Sequence, residues 1–283
     1  MRRVGLIGHP LGHSLSPQIH TRLFELSGET VDYQLYDIAP EELTEKYGML
    51  SELDGFNITI PHKVAIIDYC GRLSDGAQRY RSVNCVKNGS EKLGCNTDVL
   101  GFTKSIEMLG ASLNSRVLQV GCGGVGRMMA IEAALCGGEV TVAALKTDEE
   151  LVQAVKSEIL AMKPDARFNI VLINNGVLSV SDFSAGVPEF DLMVNASPIG
   201  MYPKTENMPC EPAILDNVKY VFDAVYNPKE TLLAKTARSK GAKAMTGMAM
   251  LVLQAVAAHE IWDDASYKKE DIDKLISDME ELV

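Results

Sequence analysis

Lys63 is the residue best placed by sequence to do chemistry. It follows Thr59-Ile60-Pro61-His62, and the proline predicts a helix start with the lysine in its first turn. A cation there opposes the helix macrodipole by roughly 0.3–1 kcal/mol. A positive helix end and partial burial both disfavour the charged form of a lysine. A lysine so placed can give a proton to a developing alkoxide and recover it on reversal. The plain alternative is a surface lysine that reaches past the helix end into water.

A set of polar side chains accompanies it. Asp98 precedes Val99 and fits the N-cap of a helix. Its carboxylate can equally accept a hydrogen bond from a substrate hydroxyl and hold Lys63. Asn84 falls in a predicted strand between Val83 and Cys85, where a buried amide needs partners, either backbone or ligand. Ser14 and Ser16 lie in His-Ser-Leu-Ser-Pro after the first predicted strand. Capping explains Ser16 but not Ser14. Thr59 can cap the helix expected after Pro61. Gln254 interrupts the apolar run Met250-Leu-Val-Leu-Gln-Ala-Val-Ala, an expensive place for an amide without a hydrogen bond. Together these groups can supply oriented hydrogen bonds for a carboxylate and several hydroxyls.

Gly121-Cys-Gly123-Gly124-Val-Gly126 satisfies G-x-G-x-x-G between a predicted strand and a predicted helix. That context gives the pattern its meaning. The glycines let backbone N–H groups approach a pyrophosphate at the helix N-terminus. The alternative is a tight strand-to-helix turn without a ligand. An NAD site usually offers an Asp or Glu about 20 residues on, and Ala143-Ala-Leu-Lys-Thr147 has none. Lys146 can meet a 2′-phosphate, with Thr147 beside it, which favours NADP over NAD. As plain surface features, Lys146 is a solvated lysine and Thr147 opens a capping box with Glu150. A dinucleotide site beside the polar set predicts hydride transfer to a polar keto acid.

The elements that must position these residues alternate. Strands are expected at 4–7, 33–38, 56–60, 116–120, 140–145, 170–173, 192–196 and 220–225. Helices are expected from Ser16, with Ser16 as N-cap and Gly28 closing it, from Pro40, from Pro61, from Asp98 to Gly110, and from Arg127 to Cys136. Asn88-Gly89 between Val83–Val86 and Lys92–Cys95 signals a hairpin. The last forty residues read as mainly helical. Strand-helix alternation implies an α/β fold with a mostly parallel sheet covered on both faces.

The bulk composition narrows the field further. At 283 residues, two domains are expected. A net charge of −11 argues against a nucleic-acid partner, which needs clustered lysines and arginines. The longest apolar helix-like run, 248–258, carries Gln254 and ends in His259-Glu260, so no membrane partner is expected. The start, Met1-Arg-Arg-Val-Gly-Leu-Ile-Gly8, lacks the apolar core of a signal peptide. The six cysteines form no Cys-x-x-Cys pair and read as buried thiols in a reducing, cytoplasmic setting. His9 and His13 have helix spacing, but Pro10 and Gly12 between them rule out the helix. No bound metal is expected.

These residues form blocks that resemble the shikimate dehydrogenases, including the quinate/shikimate branch, over nearly the whole chain. The blocks are residues 8–17, Gly55 to Lys63, Ser82 to Val86, Gly94 to Asp98, Gly121 to Gly126, Asn195 to Met201, Val225-Tyr-Asn-Pro228 and Met250 to Gln254. The resemblance implies an N-terminal α/β substrate domain, 1–98 plus 247–283, and a Rossmann-like doubly wound domain, 99–246, with the active site in the cleft between them. It implies Lys63 as acid/base and Asp98 as its orienting partner. Ser14 and Ser16 would bind the substrate carboxylate; Thr59, Asn84, Asp98 and Gln254 would hold hydroxyls. Tyr226 would lie beside substrate and nicotinamide, and Asn195, Ser197, Met201 and Gly247 would border the cofactor. The implied reaction is the reversible NAD(P)-dependent reduction of 3-dehydroshikimate to shikimate, in aromatic amino acid biosynthesis. Quinate or aminoshikimate oxidation with NAD, or a non-catalytic dinucleotide sensor, are the rivals. A homodimer is the assembly to test. The sequence departs from the family where Leu145-Lys146-Thr147 replaces Asn-Arg-Thr, Ser82 and Cys85 replace Ala and Thr, and Thr246 replaces Asp. Lysine lacks the planar fork of arginine.

Overall fold

The computed structural model describes residues 1–12 and 14–283; His13 lies outside them. The chain forms two compact units, Met1–Gly101 with Val252–Met279, and Phe102–Leu251 with Glu280–Val283. The chain passes between them within three helices, so each of those helices contributes residues to both units.

In the first unit the elements are β1 (Arg2–Gly8), α1 (Ser16–Leu26), β2 (Val31–Asp37), α2 (Leu43–Leu50), β3 (Gly55–Ile58), β4 (Arg72–Leu73), α3 (Asp75–Tyr80), β5 (Cys85–Lys87), β6 (Leu93–Cys95) and the start of α4 (Asp98–Leu109). Its sheet runs β2-β1-β3-β5-β6-β4. β2, β1 and β3 are parallel, β5 is antiparallel to β3, and β6 is antiparallel to β5. The period of two divides the sheet faces. Ile7, Phe56, Ile58 and Val86 pack with Leu43, Leu50 and Ile66 on one side. Val4, Cys85 and Cys95 pack with Phe24, Ala258 and Trp262 on the other.

The second unit holds the rest of α4, then β7 (Arg116–Val120), α5 (Gly124–Leu135), β8 (Glu139–Leu145), α6 (Glu149–Met162), β9 (Arg167–Ile173), β10 (Leu192–Asn195), β11 (Tyr220–Asp223), α7 (Leu232–Ser239) and β12 (Lys243–Thr246). α8 (Met248–Asp263) begins in this unit and ends in the first, where α9 (Lys269–Glu280) follows. All six strands are parallel in the order β12-β11-β10-β7-β8-β9. Numbered from β7, this is the 3-2-1-4-5-6 order of the doubly wound dinucleotide fold, whose ligand crevice opens where the order reverses, between β7 and β10. The strands are near-continuous apolar runs because both faces are covered. Val117, Leu118, Val140, Val142, Met193 and Val221 are all fully buried, and each such side chain contributes about 1.5–3 kcal/mol.

Several local expectations are corrected. The residues after Pro61 form a turn through Val64 and then a five-residue 3₁₀ helix, Ala65–Tyr69, rather than an α-helix. Lys63 therefore has no helix macrodipole acting on it, and Thr59 caps nothing through its side chain. α1 starts one residue early: Leu15 is the N-cap and Ser16 the first helical residue, with the Ser14 hydroxyl accepting from the Ser16 N–H at 3.2 Å. Asp98 is likewise the first residue of α4, and Asn96 Oδ1 accepts from the Val99 N–H at 3.3 Å. A 3₁₀ turn over Lys146–Asp148 displaces the capping box expected from Thr147. β5 begins at Cys85, after Asn84. Cys136 is exposed, unlike the buried thiols at 85, 95, 122 and 210.

Candidate active site

Strand direction gathers the polar residues of the first unit. The carboxyl ends of parallel β1 and β3, the amino end of antiparallel β5 and the carboxyl end of β6 all lie at one end of the sheet. Ser14 and Ser16 follow β1, Thr59 follows β3, Asn84 precedes β5, and Asp98 follows β6. Residues remote in sequence thus arrive at one edge.

Lys63 Nζ donates to Asp98 Oδ2 at 2.7 Å. The lysine side chain is 23% exposed and the aspartate 11%, so the ion pair faces an accessible edge while its carboxylate is largely shielded. The turn carrying Lys63 is fixed twice. Its carbonyl accepts from the Val83 N–H at 2.8 Å, and the buried His62 ring bonds through Nε2 to the Ile38 carbonyl at 2.6 Å.

Asn84 organises the opposite side. Its Oδ1 accepts from the Thr97 N–H at 2.7 Å. Its Nδ2 stands 2.9 Å from Asp98 Oδ1, 3.0 Å from Gln254 Oε1 and 3.0 Å from Thr97 Oγ1. An amide nitrogen carries two hydrogens, so these three oxygens compete for two donors. An incoming hydroxyl can satisfy the one left over. Gln254 reaches this cluster because Trp262, about two turns further along α8, is seated against the sheet: its Nε1 donates to the Val86 carbonyl at 2.9 Å. Gly55 makes room, since a Cβ there would lie 2.5 Å from the indole nitrogen.

The Tyr33 phenol, pushed well up by desolvation, donates to Asn57 Oδ1 at 3.0 Å. Thr59 is half-buried. A Cβ on Gly8 would come within 2.4 Å of its methyl group.

In the second unit the glycine-rich turn links β7 to α5. Gly121 has φ +90°, and a Cβ there would sit 3.0 Å from the Ser197 nitrogen. At Gly123 and Gly124 a Cβ would meet nothing, so the start of α5 is open to an approaching anion. Gln119, buried in β7, locks the turn by donating to the Gly121 carbonyl at 2.8 Å and the Gly126 carbonyl at 2.7 Å. Asn195 is fully buried and bonded to Asp223 and Ile199, while Ser197 Oγ donates back to Asn195 Oδ1 at 2.7 Å. These two side chains shape the loop with their bonds to each other and to the protein. Met201 is exposed and Tyr226 half-buried. Gly247 is held by close approach, a Cβ there falling 2.2 Å from the Ala224 carbonyl oxygen. Lys146 and Thr147 are exposed at the end of β8.

Sequence reasoning missed His62, Thr97 and Gln119. Each is a polar residue in or beside an apolar segment, the same signal that drew attention to Asn84 and Gln254.

Residues 6–86 match the family model for the shikimate dehydrogenase substrate binding domain. A protein named shikimate dehydrogenase (NADP(+)) from Caldanaerobacter subterraneus subsp. tengcongensis is 34% identical over 270 residues, covering 94% of this chain and 93% of its own. A crystal structure of a shikimate dehydrogenase in complex with NADP+ superposes with TM-score 0.84 at 30% identity, covering 98% of this chain and 95% of that one. The Thermus thermophilus shikimate 5-dehydrogenase in complex with NADP(H) and shikimate gives 0.82 at 26%, covering 98% and 99%. With a paired lysine and aspartate at the sheet edge of one unit and a doubly wound sheet in the other, the chain belongs to the shikimate dehydrogenase family.

Proposed function

We propose that this protein catalyses the reversible NADP-dependent reduction of 3-dehydroshikimate to shikimate, a step of aromatic amino acid biosynthesis; relatives named shikimate dehydrogenase (NADP(+)) support this reading. The observation that carries the proposal is the 2.7 Å pair of Lys63 and Asp98, in a chain 34% identical to a shikimate dehydrogenase over most of its length. The first unit is assigned to substrate and the second to the dinucleotide.

The Lys63 ammonium keeps one hydrogen on Asp98 and has two more to offer. One of them goes to the carbonyl oxygen as it becomes an alkoxide, and returns on oxidation. Asp98 holds the ammonium in line and accepts from a neighbouring substrate hydroxyl. Gln254 and Thr59 take the remaining hydroxyls, with Asn84 fixing Asp98 and Gln254. Ser14 and Ser16 receive the carboxylate. The dinucleotide, when bound, supplies the hydride. The open α5 N-terminus at Gly123 and Gly124 suits its pyrophosphate, and Gly121, Gly126, Asn195, Ser197, Met201, Tyr226 and Gly247 form the surrounding wall. Lys146 and Thr147 would meet the 2′-phosphate.

NAD is the competing cofactor, on one observation: Asp148, Glu149 and Glu150 follow Lys146-Thr147 directly, and carboxylates favour ribose hydroxyls over a phosphate. The proposal extends to a cytoplasmic setting and a homodimer, testable by fractionation and light scattering. The decisive assay is steady-state turnover of shikimate and quinate, each with NADP+ and NAD+. Preferred use of shikimate with NADP+ is expected; absence of turnover with all four pairs refutes the activity.

A further inference from the structure

We propose that Asp223 is a positioning residue for dinucleotide binding, a buried carboxylate that ties together the loops after β10 and β11. The inference rests on the dinucleotide-binding role assigned to the second unit above. Asp223 ends β11 and is 0% exposed. Its bonds are all to neutral groups. Oδ1 accepts from Asn195 Nδ2 at 2.8 Å and the Val225 N–H at 3.1 Å, and Oδ2 accepts from Thr231 Oγ1 at 2.7 Å.

Each bond leads toward the carboxyl edge of the sheet, where this fold binds its ligand. Asn195, oriented by Asp223, receives the Ser197 N–H at 3.1 Å and donates to the Ile199 carbonyl at 3.2 Å. The loop over 195–199 is therefore folded around that amide. Its backbone forms the wall against which Gly121 packs, with room for no Cβ. The Val225 N–H opens the segment that carries Tyr226, and the Val225 carbonyl accepts from the Gly247 N–H at 3.0 Å. Thr231 caps α7, its Oγ1 accepting from the Ala234 N–H at 3.2 Å.

Three donors converge on one point, and a carboxylate is the side chain that only accepts. An amide in its place would turn an N–H toward Thr231 or Asn195. A charge buried without a cation disfavours folding, and desolvation pushes this carboxyl up to about 6. Rules broken in this way concentrate at functional sites. What the carboxylate provides is a fixed relation between the loops around the glycine-rich turn.

The test uses the full chain, with NADP+ titrated calorimetrically in the absence of shikimate, followed by steady-state kinetics. Asp223→Ala strands two N–H donors and is expected to weaken NADP+ binding by about tenfold or more. KM for shikimate should stay within about threefold, because those contacts lie on the other unit. Asp223→Asn keeps both bonds to Oδ1 and should restore NADP+ binding to within about threefold of wild type. A cooperatively folded Asp223→Ala protein that binds NADP+ as tightly as wild type overturns the inference. If that variant does not fold, Asn195→Ala cuts the same link, and unchanged NADP+ affinity there overturns it equally. Lack of shikimate turnover by the wild type would defeat the functional assignment and leave the NADP+ titrations interpretable.

Discussion

Asp223→Asn should change stability in a way that depends on pH, and the size follows from burial. The folded carboxyl titrates at about 6 against an ordinary 3.8, a difference of roughly 2 units or about 3 kcal/mol. Between those values the folded chain holds the proton and the unfolded chain has released it. The folded state therefore binds more protons, and stability falls as pH rises from about 4 to about 6. Above that window the wild type carries the full penalty of about 3 kcal/mol, and below it almost none. Asparagine is neutral throughout. It leaves the Thr231 hydroxyl without its acceptor, a cost of about 1–3 kcal/mol that does not vary with pH. The assay is urea unfolding of both proteins at pH 4.5, 5.5 and 7.5. The stability of the variant minus that of the wild type should rise by about 2 kcal/mol from the lowest to the highest pH. Taking this difference cancels every other titrating group common to both. A gap that stays flat, or narrows as pH rises, refutes the reasoning.

Other substitutions probe the remaining parts. Asp98→Asn removes the anion that holds Lys63 and should lower kcat by about 10²-fold or more with a smaller effect on NADP+ affinity; an unaltered kcat would remove Asp98 from the chemistry. Lys146→Ala should raise KM for NADP+ more than KM for NAD+, and an unchanged ratio would show that the lysine does not read the 2′-phosphate. Gly121→Ala forces an L residue to φ +90° beside Ser197, at about 1–3 kcal/mol; calorimetry should show weaker NADP+ binding, and wild-type affinity would mean that the turn relaxes freely.

Much of the fold could be read from the sequence because strand cores carry strong local signals. Val4–Ile7, Val117–Val120 and Val140–Val142 are mainly apolar, interrupted only by Gln119 and Thr141, and the structure places each in a buried strand. The hairpin expected at Asn88-Gly89 formed, but residues 88–92 join its strands and neither Asn88 nor Gly89 has the positive φ of a two-residue type I′ turn. β12 was not read, because Lys243-Ala-Met-Thr246 has one β-branched residue and gains its order from pairing with β11. α7 was missed although Thr231 marks its start and Leu233, Ala234 and Ala237 share a buried face. The helix expected at Lys63 failed for the opposite reason. Pro61 suits a helix start, but the long-range bonds of Lys63 to Val83 and of His62 to Ile38 hold the segment as a turn.

The site was legible as a set of residue types and not as a set of contacts. Asn84 and Gln254 stood out as amides in apolar runs, yet nothing local says that they touch each other across 170 residues. Asp223 was passed over because a carboxylate at a strand end looks solvated until the segments after β10 and β11 close over it. Asn195 and Ser197 were expected to border a cofactor, and nothing local says that their side chains bond to each other. In each case the missing information is tertiary, supplied by the parallel order that brings strand ends together.

Lys63→Ala gives the most direct measurement of the central claim. Steady-state oxidation of shikimate by NADP+ should fall by about 10²–10⁴-fold in kcat, with NADP+ affinity, titrated separately, within about twofold of wild type. Turnover within about threefold of wild type would contradict the assignment of the Lys63 ammonium as proton donor.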